Sequence, residues 1–343
     1  MVARPAALIG GALAGALAEA DLNRRPPRAQ RERFKQWVHA TVATPELALV
    51  ANFSTSFATG APAHRLTTLV FGDGVAGHSR AVPADACAVV PGRSAIRLGD
   101  SAIAPTAAGY ALVVVEPRLA LTAELELAPR AAASTLHNLR FAGGDVLHWS
   151  VVPRMVANGT ITYAGRRHAV VDAPAYRDRN WGALRFGDVA WDWGYALADD
   201  PGSPFAIVFA RLLDAARTRV VEQELLIWSG ATLLASFRGA ELEVVATGAA
   251  RGPFPTVPAA LALCRPGHAS DVPEQLQITA ASSRGTIRVA FERLATARIV
   301  VPDDAGVGTT AIYESLGRIA VSGSADGCAV ALTGRGFLEC VHA

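Results

Sequence analysis

With 343 residues, 51% of them hydrophobic and 18% charged, and a mean hydropathy of +0.27, the chain is too apolar to be largely disordered. It is long enough for two domains or one large all-β unit. The formal net charge is only +2, and no basic cluster is interleaved with aromatics, which excludes the electrostatic footprint of a nucleic-acid binder. Lys35 is the sole lysine, so Schiff-base chemistry and a phosphate-loop lysine are excluded as well.

Residues 1–28 read as an N-terminal helical or flexible segment. Arg4 precedes an Ala/Gly-rich run, Ala6 to Ala18, and Ala18-Glu19-Ala20 has the small-x-small form of a signal cleavage site. The run is poor in Leu and Val and shorter than the roughly 20 apolar residues that span a bilayer. It suits a surface helix that touches a membrane peripherally, in a cytoplasmic protein, with export as the alternative. Ala29 to Ala40 is amphipathic at helical spacing and reads as a helix.

From about residue 45 the pattern is β. Leu119, Leu121, Ala123, Leu125 and Leu127 alternate with Ala120, Thr122, Glu124 and Glu126, the period of a strand with one wet face. Gly72-Asp73-Gly74 and Asn158-Gly159 read as hairpin turns. Phe205 to Val221 reads as strand, turn, strand. Runs ending at Ser229-Gly230 and Arg238-Gly239, then Glu241 to Val245, read as a meander, and Ser283-Arg284-Gly285 closes a further hairpin. Short, regularly spaced strands argue for an all-β chain of antiparallel barrels, not a doubly wound sheet. Asp199-Asp200-Pro201-Gly202-Ser203-Pro204 concentrates breakers and divides the chain into β-domains at 29–198 and 199–343.

Cys87, Cys264, Cys328 and Cys340 lie apart and read as small buried hydrophobes, and the eight histidines are equally scattered. No metal site and no cofactor is expected. Glycine-rich phosphate loops, nucleophile elbows and H-E-x-x-H are missing from the sequence.

The exceptional segment is His148 to Ala196, which holds four of the six tryptophans. In it, Tyr176-Arg177-Asp178-Arg179-Asn180-Trp181-Gly182 reads as a strand with Tyr176, Asp178 and Asn180 on one face and both arginines on the other. Trp191, Trp193 and Tyr195 share a face in the same way, an aromatic wall suited to an apolar ligand in a barrel lumen. Trp37 and Trp228 read as core, and Glu314 and Glu339 as solvated or salt-bridged.

The run Tyr-x-Asp-x-Asn-Trp-Gly, followed nine residues later by Trp-x-Trp-Gly, resembles the signature of the lipocalin-like carotenoid 1,2-hydratase (hydroxyneurosporene synthase) family, which includes fungal lipocalin-type Diels–Alderases. The likeness extends over most of the chain, through Trp37 to Phe57, Trp149-x-x-x-Pro153, Tyr313-Glu314 and Gly334 to Glu339. It implies two lipocalin-like β-barrel domains with a pocket in or between them, acting without metal or redox cofactor on a long isoprenoid or polyketide chain. The family carries histidines where this chain has Arg177 and Arg179. A guanidinium within ~5 Å of Asp178 would lower its pKa by about 1 to 3 and spoil a proton donor. Strand geometry turns both arginines away.

On this reading Asp178 protonates a double bond, Tyr176 and Asn180 orient acid or water, and Trp149, Trp181, Trp191, Trp193 and Tyr195 line the pocket and stabilise a cation. A hydratase or cyclase, a pericyclase that folds its substrate without proton transfer, and a non-catalytic lipid or pigment carrier all remain open. So does a carbohydrate-active protein pairing Asp178 with Asp188 or Asp192. In each the partner is a small molecule, and the protein is a monomer or homodimer. As scaffold, Asp178 would instead tie down backbone amides or pair with an arginine.

Overall fold

The computed structural model describes residues 22–58, 60–141, 146–250, 254–263, 272–302 and 308–342. The Ala-rich start, Cys264 and His268 lie outside the described residues.

The chain is nearly all β, in two large antiparallel sheets. In the first, β1 (Phe34–Ala43), β2 (Ala48–Ser56), β3 (Ala63–Phe71) and β4 (Val75–Val82) form a meander. Short strands follow: β5 (Cys87–Val89), β6 (Ile96–Leu98), β7 (Ser101–Pro105), β8 (Tyr110–Glu116), β9 (Leu121–Pro129) and β10 (Ser134–Arg140). The long hairpin β11 (Val146–Tyr163) and β12 (Arg166–Ala183) closes the sheet, with β12 pairing back on β1. The second sheet repeats the plan. It opens with the meander β13 (Val189–Ala198), β14 (Phe205–Asp214), β15 (Val220–Ser229) and β16 (Thr232–Arg238). After β17 (Leu242–Thr247), β18 (Thr256–Val257), β19 (Gln275–Ser282) and β20 (Gly285–Pro302), it ends in the hairpin β21 (Thr309–Ala325) and β22 (Cys328–His342). Here β22 pairs back on β13 as β12 does on β1. The helical pieces are short 3-10 turns.

Several expectations change. Ala29 to Ala40 is a 3-10 turn, Arg28–Arg33, followed by β1. β1 lies between β2 and β12 with both faces covered, so its apolar residues do not alternate cleanly with polar ones and mimic a helical stripe. Asn158-Gly159 is a bulge inside β11, where Gly159 takes φ of 141° against the β9 backbone, and the hairpin turns at Ala164-Gly165 instead. The third run of the expected meander, β17, pairs with β19 rather than β16. Asp199 to Pro204 is the turn of the β13–β14 hairpin, so residues 189–198 belong to the second sheet and the chain crosses between sheets at 184–188. Cys87 and Cys328 are only partly buried.

Alternation along the strands gives each sheet two apolar faces. One face of the first sheet encloses its own core, including Val38, Val42, Leu66, Leu112 and Val152. The second sheet does the same around Phe209, Leu225, Phe237, Ile278 and Ile287. The remaining faces pack on each other in a third core that draws on both sheets, with Trp149, Val151 and Tyr176 from one and Trp191, Trp193, Tyr195 and Phe337 from the other. Backbone and side-chain bonds cross this seam: Ala132 N–H donates to Ala231 O (2.9 Å), and Arg335 donates to Thr44 O.

Candidate functional site

Because β12 alternates, Tyr176, Asp178 and Asn180 face the seam, and Arg177 and Arg179 point into the first sheet's own side. Arg177 stacks its guanidinium 4.1 Å from the Tyr110 ring centroid, and Arg179 donates to Asn23 Oδ1 (2.9 Å) and Gln36 Oε1 (3.1 Å). Gly182 is glycine because a Cβ there would collide with the β11 backbone at Val146 and Leu147, so it lets the two long strands stay paired beyond the motif.

Asp178 is 3% exposed. Its Oδ2 accepts from the Tyr176 hydroxyl (2.8 Å) and its Oδ1 from Asn180 Nδ2 (2.7 Å). Neither a backbone amide nor an arginine donates to it in these bonds, so it is held as a side-chain triad. Burial pushes its pKa from 3.8 up to about 7, with the Glu339 charge adding to the rise and the Tyr176 hydrogen bond opposing it. An acid poised near neutrality can hold a proton and release it. Burial and the neighbouring Asp178 raise Tyr176 well above the usual phenol range, which keeps it a donor.

Beside the acid is a cavity of about 20 Å³, the volume of about one water. The expected aromatic wall is real, but it lies between the two sheets rather than in a barrel lumen. Of the residues anticipated from sequence, Trp149, Asp178, Asn180, Trp191 and Trp193 line this cavity. Tyr176 and Tyr195 stand behind it, stacked with centroids 3.6 Å apart. Trp181 faces the opposite way, packed with Phe34 and Phe57 and stacked on His148, so it takes no part in the wall. Trp37, read as core, lines the cavity instead, while Trp228 is core.

Trp149 Nε1 is set beside the Asp178 carboxyl and Trp193 Nε1 beside the Tyr176 oxygen, where each acts as a further donor, and Asn180 Oδ1 is a buried acceptor with no protein partner in hydrogen-bonding geometry. A space of this size holds one water, for which Asn180 Oδ1 is an open acceptor.

Besides Trp37, sequence reasoning missed three titratable cavity residues. His39, opposite Asp178 in the β1–β12 register, contacts Thr41 Oγ1 (3.0 Å) and the Tyr195 hydroxyl (3.3 Å), and burial lowers its pKa to about 4. Glu314 and Glu339 are neither solvated nor salt-bridged. They pair across β21 and β22, share a hydrogen bond, and Glu339 Oε1 accepts from Trp191 Nε1 (2.6 Å). Burial raises both carboxyls, Glu314 further. By strand register Trp37, His39 and Thr41 of β1 correspond to Trp191, Trp193 and Tyr195 of β13, and Asp178 to Glu339; the shared Trp at the head of each strand is the one trace of this in the sequence. Asp192 points away, in an ion pair with Arg217 (2.5 Å), and Asp188 is exposed in a 3-10 turn. The carboxylate pairs required for the carbohydrate reading therefore do not form.

A much larger open cleft, about 1290 Å³, lies farther along the seam, lined by Ala43, Phe71, Leu316, Ile319 and Arg335 among others. Aromatic contacts run from it toward the acid: Phe71 meets Phe337 edge-on (5.4 Å), Phe337 stacks on Tyr195 (5.8 Å), and Tyr195 on Tyr176.

The fold has solved counterparts. The chain superposes with a TM-score of 0.64 on an AttH protein of Nitrosomonas europaea at 15% identity, covering 90% of this chain and 92% of that one. Kievitone hydratase from Nectria haematococca gives 0.59 at 14% identity, covering 90% and 89%, and CghA gives 0.52 at 15%, covering 90% and 88%. The lipocalin-like architecture is shared. No protein-family model and no curated protein matches the sequence.

Proposed function

We propose that the protein is a hydratase or cyclase that works by proton transfer from Asp178 to a carbon–carbon double bond of an apolar substrate. The observation that carries this reading is a buried carboxyl with a pKa near 7, fixed by Tyr176 and Asn180 beside an indole-walled, water-sized seat. The likeness in fold to a hydratase supports it.

The chemistry follows from the geometry. Tyr176 and Asn180 each donate to one oxygen of the carboxyl, which lines the cavity. Proton transfer to the alkene leaves a cation, which the ring faces of Trp149, Trp191 and Trp193 stabilise, each by up to roughly 2 kcal/mol in a desolvated site. Positioned acids of this kind contribute about 10²- to 10⁴-fold. Water held at Asn180 Oδ1 captures the cation in a hydratase; an internal double bond captures it in a cyclase. The large cleft farther along the seam has the volume for an apolar chain and the space beside Asp178 does not, so access to the acid requires the packed Phe71, Phe337 and Tyr195 rings to part. An isoprenoid or polyketide chain fits this chemistry. A carboxyl near neutrality set beside a cavity supports the catalytic reading over the carrier.

The test is incubation of the full chain with lycopene, geranylgeraniol and squalene in ¹⁸O-water, followed by mass spectrometry. Gain of one labelled water marks a hydratase, and an isomer of unchanged mass marks a cyclase. Products formed equally well by Asp178→Asn would overturn the proposal.

A further inference from the structure

The two sheets bring a second acidic device to the same cavity. Glu314 and Glu339 lie opposite each other in β21 and β22 and line the space that Asp178 lines from β12. Glu314 is 2% exposed, and Glu339 is partly buried against the cavity. Two carboxyls in hydrogen-bond contact cannot both be ionised at low cost, so one proton is shared between them. Glu339 is the partner that carries the charge, because it accepts both from Glu314 and from the Trp191 N–H at 2.6 Å. Tyr176 and Asn180 hold Asp178 in a corresponding way, as donors to a carboxyl at the equivalent position of the other sheet.

We propose that Glu339 is the base of the reaction, facing Asp178 across the seam, and that Glu314 is the positioning residue that keeps Glu339 ionised and aimed. This rests on Asp178 acting as the acid. In hydration, the alkene π pair takes the Asp178 proton and forms a C–H bond, leaving Asp178 as carboxylate and a cation on the adjacent carbon. The water oxygen forms the C–O bond while one of its protons passes to Glu339, so the dyad gains the proton that Asp178 lost. Return of that proton through solvent to Asp178 completes the cycle, with alkene and water consumed and alcohol formed. In the cyclase mode Glu339 takes a proton from the carbon beside the final cation, and its C–H pair becomes the new double bond.

The titratable groups facing the pair are Asp178 of β12, raised by burial to about 7, and Tyr176 of β12, Tyr195 of β13 and His39 of β1, which burial keeps neutral near neutral pH. The charge on Glu339 is thus balanced by hydrogen bonds rather than by a cation among these groups, the condition under which a carboxylate stays basic.

The experiment uses whichever probe of lycopene, geranylgeraniol and squalene is turned over, together with infrared spectra of the substrate-free full chain. Wild type should give a bell-shaped rate profile. Glu339→Gln should lower turnover about 100-fold and remove the acid limb. Glu314→Leu should move the acid limb to higher pH, and Glu314→Gln, which still offers an N–H, should restore it; a merely structural Glu314 would leave the limb in place. In infrared spectra at neutral pH, Glu314→Gln should lose a protonated-carboxyl band that Asp178→Asn keeps. An acid limb that survives in Glu339→Gln, or a band indifferent to Glu314→Gln, overturns the inference. If Asp178→Asn is fully active while Glu339→Gln is not, the acid assignment fails and the base stands. If Asp178→Asn is dead and Glu339→Gln is normal, the base fails and the acid stands.

Discussion

Glu339 occupies in the second sheet the position that Asp178 occupies in the first. Asp178 of β12 pairs with His39 of β1, and Glu339 of β22 pairs with Trp193 of β13, each where the last strand of its sheet closes on the first. Two copies of one topology meet face to face, so equivalent acids line one space.

Asp178→Asn should abolish turnover by about 10²-fold or more with the fold intact. Its effect on stability has a definite sign. The folded pKa, about 7, lies above the unfolded value, so the native state binds the extra proton and loses stability as pH rises from about 4 to 7. At about 1.36 kcal/mol per pH unit, the whole span is worth roughly 4 kcal/mol. Asn removes that loss, so chemical denaturation at pH 8 should find the variant more stable than wild type, and at pH 4 no more stable.

His39 has the opposite slope. Its folded pKa, about 4, lies below the unfolded value of 6.5, so the unfolded chain takes the proton first and stability falls as pH drops from about 6.5 to 4. His39→Gln should flatten the acid side of the stability profile by roughly 3 kcal/mol, read from denaturation midpoints between pH 7 and 4.

Arg177→Met should separate scaffold from chemistry. The guanidinium packs on Tyr110 away from the seam, so its loss should lower the melting temperature while turnover stays within about threefold. Since Arg177 opposes the rise in the Asp178 pKa, the alkaline limb should move slightly to higher pH, measured in the same rate profiles.

Gly182→Ala should destabilise by about 2 kcal/mol or more, because the new methyl meets the Val146 backbone rather than a flexible side chain. Thermal melts check this; a neutral substitution would show that β11 can move aside freely.

Much of the site was legible in the chain. The motif from Tyr176 to Gly182 reads as a strand, and its period of two places Tyr176, Asp178 and Asn180 together, opposite the arginines, as the hydrogen bonds show. The same rule groups Trp191, Trp193 and Tyr195. It also puts Trp181 one residue out of phase with Asn180, facing Phe34 and Phe57, and the assignment of Trp181 to the pocket from the motif went against that phase. β1 misread as a helix because, with both faces covered, burial imposes no alternation of polarity on it.

Alternation is a local property set by backbone pleating, so the sequence alone determined which side chains share a face and that the chain is all β. What faces them across space was decided by tertiary packing. Whether a face lines a barrel or a seam depends on how two curved sheets bury their outer sides, and no spacing along the chain encodes that Glu339 comes to lie near Asp178. The acidity of the site follows from the same packing, because removing a carboxyl from water and setting another beside it are what raise Asp178 to near neutrality.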